Sequence, residues 1–398
     1  MARHFPALAA ADQGFIYLDS AATTHRAQAV IDAITRFYVE DNANPARVHA
    51  RARRAAAVLT DARAAVAGCL NAADPLEIVF TRGTTEAVNL AAQSWGSAHL
   101  RPGDEIVLTI SEHASNLMPW VRVAKAAGAR VRILDVDDSG QLRLDTLSEV
   151  ITSRTRLVAV SHASNVLGIL NPVKPIVQAA RAVGALTFVD GAQGAPHAPI
   201  DVKDLGCDFY AFSGHKLCGP MGAGVLWVRR TILDGMAAYH VGSNMAHGVE
   251  FEATAEFETG GLRFQAGTPD VAAAAGLAAA VRFLNGLGRD AVWAHDQALV
   301  KAARVLTGIK GLRVIGDLSA PDRVPVFSFV LEGRTVPSVA EALDRRGIGV
   351  RGGDLAALPL LKRFGLTEAV RASAYIYSSS EHIARLAEAL QDISRGRS

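Results

Sequence analysis

Residues 208–228 read D-F-Y-A-F-S-G-H-K-L-C-G-P-M-G-A-G-V-L-W-V. Phe209 to Phe212 and Val225 to Val228 are apolar and β-prone, and the turn between them, built on Gly214, Gly219, Pro220, Gly222 and Gly224, carries a single lysine, Lys216. Those turn residues stop a helix and let the backbone bend tightly. Ser213 and His215 flank the lysine closely. A lysine that must attack a carbonyl as a neutral amine needs such polar, partly desolvated surroundings, because they lower its pKa. A surface hairpin is the alternative reading of this stretch taken alone.

Upstream, Leu186 to Asp190 (L-T-F-V-D) reads as a buried strand ending in a carboxylate, followed by Gly191, Ala192 and Gln193. An acid at the carboxyl end of a parallel strand stands where α/β folds place ligand contacts. Pyridoxal phosphate asks for two such groups: a lysine for the Schiff base and an acid that keeps the pyridine nitrogen protonated. Lys216 and Asp190 supply both.

V-D-G-A-Q followed by F-Y-A-F-S-G-H-K-x-x-G-P-x-G-x-G-V-L resembles the class V aminotransferase family, and within it the group II cysteine desulfurases and selenocysteine lyases. The resemblance runs over nearly the whole chain. It implies pyridoxal 5'-phosphate as cofactor and the α/β architecture called PLP fold type I: a large domain with a mainly parallel, doubly wound sheet and a smaller C-terminal α/β domain. The expected division is an N-terminal arm over 1–25, a large domain over 26–265 and a small domain over 266–398, with the arm packing on the small domain.

Other segments take places in that pattern. Glu77 to Thr81 is a strand, and Arg82-Gly83-Thr84-Thr85-Glu86 opens a helix whose free N-H groups suit an anion. By itself G-T-T-E reads as a capped helix; beside Lys216 it resembles the family's phosphate cup, with Thr84 and Thr85 as contacts. Ser111 to Asn116 (S-E-H-A-S-N) follows the strand from Glu105, and the resemblance puts His113 over the pyridine ring, where an imidazole shuttles protons. The family's second histidine is Ala114 here. Ser164 to Gly168 (S-N-V-L-G) resembles S-N-V-x-G, which assigns Asn165, together with Gln193, to the ring oxygen. R-F-Q-A-G-T-P-D from Arg263 resembles R-F-E-A-G-T-P-N, whose threonine reaches the partner's phosphate, so Thr268 implies a homodimer. Arg371 corresponds to the arginine that grips the substrate α-carboxylate, work for a planar bidentate donor; a lone strand arginine otherwise reads as an ion-pair partner. His49, in a loop before a helix, is a candidate substrate contact beside a structural reading.

One stretch departs from the pattern. Group II enzymes carry a sulfur-accepting cysteine in V-R-A-G-H-H-C-A-Q-P, whereas residues 350–359 read V-R-G-G-D-L-A-A-L-P. Ala356 stands at the cysteine position, and Asp354 and Leu355 replace the paired histidines. Asp354 is a candidate contact for a basic or amino-bearing substrate. Cys218, two residues from Lys216, is a weak substitute acceptor.

The totals exclude other classes. A 398-residue chain, 50% hydrophobic and 20% charged, has room for two domains. A net charge of +2 makes no case for nucleic acid or an anionic membrane. Three cysteines (Cys69, Cys207, Cys218) without C-x-x-C spacing argue against a disulfide framework or a zinc site and suit a reducing cytoplasm. The N-terminal residues lack a long apolar core, and Val271 to Val281 is too short to span a bilayer. The expectation is a cytoplasmic enzyme acting on an amino acid, first a carbon-sulfur or carbon-selenium lyase without a persulfide cysteine. An aminotransferase or epimerase is the alternative, and a non-catalytic scaffold the third reading.

Overall fold

The computed structural model describes residues 1–10, 14–251 and 255–396. After a short β1 (Ile16–Tyr17), seven strands build the main sheet: β2 (Ile78–Thr81), β3 (Glu105–Thr109), β4 (Arg130–Leu134), β5 (Thr155–Ser161), β6 (Leu186–Asp190), β7 (Phe209–Ser213) and β8 (Gly224–Val228). Their order across the sheet is β2-β8-β7-β6-β5-β3-β4. All neighbours run parallel except β8, which is antiparallel to β2 and β7. The stretch 208–228 is thus a hairpin, with Phe209 opposite Val228 and Ser213 opposite Gly224, but it lies inside the sheet and both strands are fully buried. Near-continuous apolar runs such as EIVLT and GVLWV are what strands covered on both faces require.

Between β8 and the next sheet, the less regular sequence of residues 242–261 reads as a loop. They contain a two-stranded antiparallel ribbon, β9 (Ala246–His247) with β10 (Glu256–Phe257), held by pairs too short to show an alternating pattern. Residues 252–254 of that expected loop, and 11–13 of the expected N-terminal arm, lie outside the described residues.

The remaining strands are β11 (Leu312–Val314), β12 (Val326–Leu331), β13 (Ile348–Gly349), β14 (Arg351–Gly353) and β15 (Ala369–Ser373). Four of them form an antiparallel sheet in the order β11-β12-β15-β14. Helices Val336–Asp344 and Ser380–Ser394 bury Val339, Leu343, Ile383, Leu386 and Leu390 in the same core as Phe327 and Phe329 of β12. Ile16 and Leu18 join this core, and β1 pairs in parallel with β13, so the N-terminal segment is a strand of the C-terminal half.

Helix Val271–Leu287, which a boundary at 266 assigns to the small domain, packs elsewhere. Its small residues Ala272, Ala274 and Ala278 bury against Phe37, Ala55, Leu59 and Ala62 of the N-terminal helical segments. A run of alanines permits that close approach, and the contacts group the helix with the large sheet's layer. Among the described residues no single helix is long and apolar enough to cross a membrane.

Candidate active site

The carboxyl ends of β2, β3, β5, β6 and β7 open on one cavity of about 520 Å³. Thr84, Thr85, His113, Asn165, Asp190, Gln193, Ser213, His215, Lys216, Asp354 and Arg371 all line it, although they span 287 positions of the chain (84 to 371). Parallel strands point their carboxyl ends one way, which is why separate loops converge.

Lys216 ends a short 3-10 turn, Gly214–Lys216, between the two buried strands. Burial pulls its amine down from 10.5 to about 8, with Arg371 pushing the same way and Asp190 opposing. Asp190 closes β6 and accepts Ala192 N at 2.9 Å. Burial raises its pKa, against the pull of that hydrogen bond and of Lys216. His113 caps helix Ala114–Ala127, its Nδ1 accepting Ser115 N at 3.1 Å. Burial, then Lys216 and Arg371, lower its pKa to about 4, with Asp354 opposing. The imidazole is therefore neutral at pH 7 and carries its proton on Nε2.

At one end of the cavity, helix Thr84–Ala91 begins after Gly83, whose φ of +152° only glycine adopts freely. A Cβ on the facing Gly224 would come within 2.4 Å of Gly83 Cα, so both positions need glycine for the helix start to sit on the hairpin. Ser213 Oγ accepts Thr84 N at 2.8 Å and pairs with Thr84 Oγ1 at 2.8 Å, while Thr85 Oγ1 meets Ser115 Oγ at 2.8 Å. Backbone N-H groups and hydroxyls thus gather at a helix N-terminus.

At the other end, Arg371 is buried on β15 and donates from Nη1 to Asn165 O at 3.1 Å. Its Nε is buried with no hydrogen-bond partner among the described residues. Asn165 Nδ2 donates to Leu355 O at 2.9 Å and Gln193 Nε2 to Ala21 O at 2.8 Å. Ala114 N donates to Ala356 O at 2.7 Å, and Asp354 Oδ1 accepts Ala356 N at 3.0 Å. These bonds hold Leu355 and Ala356 in consecutive left-handed conformations, φ +52° at both. The loop where a sulfur acceptor was sought is docked on the cavity and presents a methyl group.

Not every candidate lies here. His49 is exposed, lies outside the cavity lining and caps helix Ala50–Cys69 through Nδ1, which accepts Ala52 N at 3.3 Å. Thr268 is exposed and outside the lining. Cys218 is fully buried, and burial pushes its thiol up to about 12. Among the described residues no cysteine lines the cavity.

Several participants were not among the expected residues. Asp19, which closes the opening I-Y-L-D of residues 16–19, pairs with Arg351 and Arg371. Glu112 sits beneath the cavity, accepting from Thr109 Oγ1 (2.5 Å), Ser161 N (2.9 Å) and Asn116 Nδ2 (2.6 Å), and burial lifts it to about 8. Its position beside His113 was the available signal.

The donor set fits pyridoxal phosphate: hydroxyls and a helix N-terminus for the phosphate, a buried acid at mid-cavity for the ring nitrogen, a lysine of lowered pKa, and an arginine with an unused buried N-H for a carboxylate. This fold and this site define a pyridoxal-phosphate-dependent enzyme of fold type I. Residues 16–386 match the family described as Aminotransferase class-V, and the chain belongs to that family.

Among its relatives, the cysteine desulfurase of Synechococcus elongatus is 42% identical over 99% of this chain, which spans 63% of that protein's length. The probable cysteine desulfurase of Pseudomonas aeruginosa is 43% identical over 97% of this chain and 96% of its own. The apo cysteine desulfurase of Thermococcus onnurineus superposes with a TM-score of 0.94 at 33% identity, covering 99% of this chain and 97% of that one.

Proposed function

We propose that the protein is a lyase that breaks the carbon-sulfur or carbon-selenium bond of a cysteine-like amino acid without a protein persulfide. The observation that carries this reading is a cavity with lysine, acid, imidazole and arginine in place but no thiol in its wall, Ala356 standing where the family has its cysteine. The names of its relatives support a cysteine-like substrate.

The bound cofactor supplies an electron sink for the carbanion at the substrate's α-carbon. Lys216 is the attachment point and, once released, the base that takes the α-proton at Nζ; its lowered pKa keeps part of it neutral near pH 8. With the cofactor bound, Asp190 would hold the ring nitrogen's proton and His113 would offer its Nε2-H as a donor. Thr84, Thr85, Ser213 and His215 would hold the phosphate end, and Asn165 and Gln193 would serve the ring oxygen. Arg371 holds the α-carboxylate, and Asp354 at the rim favours a substrate carrying an amino group. Thr268, exposed on its own subunit, completes the site of a neighbour in a cytoplasmic homodimer.

With no thiol to accept sulfur, the leaving group departs from the β-carbon and water completes the conversion to pyruvate and ammonia. The test is single-turnover absorbance of the holoenzyme with a panel of amino acids, coupled to assays for sulfide, pyruvate and alanine. Pyruvate with sulfide is expected. Inert cysteine derivatives, with another amino acid driving the cofactor to its amine form, would replace this reading by aminotransferase chemistry.

A further inference from the structure

Arg351 of β14 and Arg371 of β15 stand directly opposite each other in an antiparallel pair, so both side chains leave the same face of the sheet and both line the cavity. Two guanidinium groups so placed repel, and the group between them is Asp19. Its carboxylate meets Arg351 twice, Oδ2 at 2.7 Å from Nη2 and Oδ1 at 3.4 Å from Nε. Oδ1 stands 3.6 Å from Arg371 Nη2, outside good hydrogen-bond range. The sharing is uneven. Asp19 neutralises the outer, half-exposed arginine and leaves the inner, buried one with an unpartnered Nε.

The three groups sum to one positive charge, located on Arg371. A corner of that charge takes a single carboxylate. A second carboxylate on the same substrate finds Arg351 already paired with Asp19 and meets the charge of Asp354 across the rim. Asp19 keeps its place because the chain there is fastened at both ends: β1 pairs with β13, Asp19 bridges to Ser373, and Thr24 N donates to His215 O at 2.8 Å beside Lys216.

We propose that Asp19 is a specificity-determining residue that makes the substrate corner monovalent: by holding Arg351 it reserves Arg371 for one carboxylate and turns away acidic, dicarboxylic amino acids. The inference rests on Arg371 as the carboxylate-binding group of the proposed reaction. Asp19→Asn, equal in size, removes the negative charge and frees Arg351 to take a second carboxylate. Arg351→Gln does the reverse, because Asp19 then closes on Arg371 and competes with the ligand.

The experiment measures dissociation constants of propionate and succinate for the holoenzyme by titration of the cofactor absorbance, with melting curves confirming folded variants. Wild type prefers propionate; Asp19→Asn shifts the succinate-to-propionate affinity ratio toward succinate by about tenfold, and Arg351→Gln weakens propionate although Arg371 is intact. An unchanged ratio in folded Asp19→Asn, or unchanged propionate binding in Arg351→Gln, overturns the proposal. Neither readout needs turnover, so a shifted ratio in a protein that cleaves no carbon-sulfur bond would sink the lyase reading and leave this one standing.

Discussion

The cavity has two unlike walls. One, at the strand ends around Lys216, Asp190, His113 and Thr84, is made of residues each close to a strand or helix terminus, held by short backbone hydrogen bonds. The other, from Arg351 through Ala356 with Arg371 and braced by Asp19, is assembled from distant segments by ion pairs and by a left-handed turn without glycine at Leu355 and Ala356. On the proposed function, the first wall carries groups any pyridoxal-phosphate reaction on an amino acid uses, and the second decides which amino acid enters and where its sulfur goes. Keeping the first while rebuilding the second is how one scaffold changes its product.

The largest effects belong to the first wall. Lys216→Ala should lower turnover by at least about 10³-fold, since base and attachment point go together; rapid-quench assays with the absorbance spectrum check it, and a spectrum unchanged from wild type would remove the lysine from its role. Arg371→Gln, at the junction of the walls, should raise KM about 10- to 100-fold, the worth of a charge-assisted hydrogen bond to a carboxylate, and move kcat less. A drop in kcat alone would place Arg371 in the chemical step instead.

Charge burial offers a test independent of turnover. Lys216 has its folded-state pKa lowered from 10.5 to about 8, so below pH 8 it is charged in both folded and unfolded chains and the desolvation cost is fully felt. Between pH 8 and 10.5 the unfolded chain binds more protons, and stability rises with pH. Cofactor-free Lys216→Met should therefore exceed wild type by up to about 3 kcal/mol at pH 7, less whatever cavity water screens, with the gap closing toward pH 10.5. Urea melts across that range measure it. A gap independent of pH would mean that methionine gains by packing alone.

The first wall was legible in the sequence because its signals are local. A strand ending in Asp190, a glycine turn around Lys216 and a helix opening at Thr84 each announce themselves within a few residues, and parallel strand direction brings them together. The second wall was only half legible. Ala356 could be seen to lack a thiol, but nothing in V-R-G-G-D-L-A-A-L-P signals two left-handed residues, since that conformation comes from Asn165 and Ala114 holding the carbonyls of Leu355 and Ala356. Asp19 and Arg351 are 332 positions apart (351 less 19) and meet through β1 and β13, a pairing of two residues on each side. His49 carried a structural reading beside the substrate one, and the cap that a histidine can form before an alanine-rich helix is present. A boundary at 266 puts helix 271–287 in the small domain, whereas its alanines pack on Phe37, Ala55, Leu59 and Ala62 of the first helices.

The smallest change bears most directly on the contrast between the walls. Ala356→Cys returns a thiol to the docked loop without altering the backbone, since alanine and cysteine both carry a Cβ and share any cost of φ +52°. Stability should change by less than about 0.5 kcal/mol. The thiol would sit where Ala114 N and Asp354 fasten the turn, with neither histidine of the family's pair to draw off its proton, so its thiolate fraction stays low. The expected result is a minor product shift: alanine appears below pyruvate, and intact mass spectrometry finds a 356-linked persulfide on a small fraction of chains. Alanine as the main product would show that this site differs from a sulfur-accepting one by one sulfur atom; no alanine at all would show that the turn, and not only the missing thiol, separates the two.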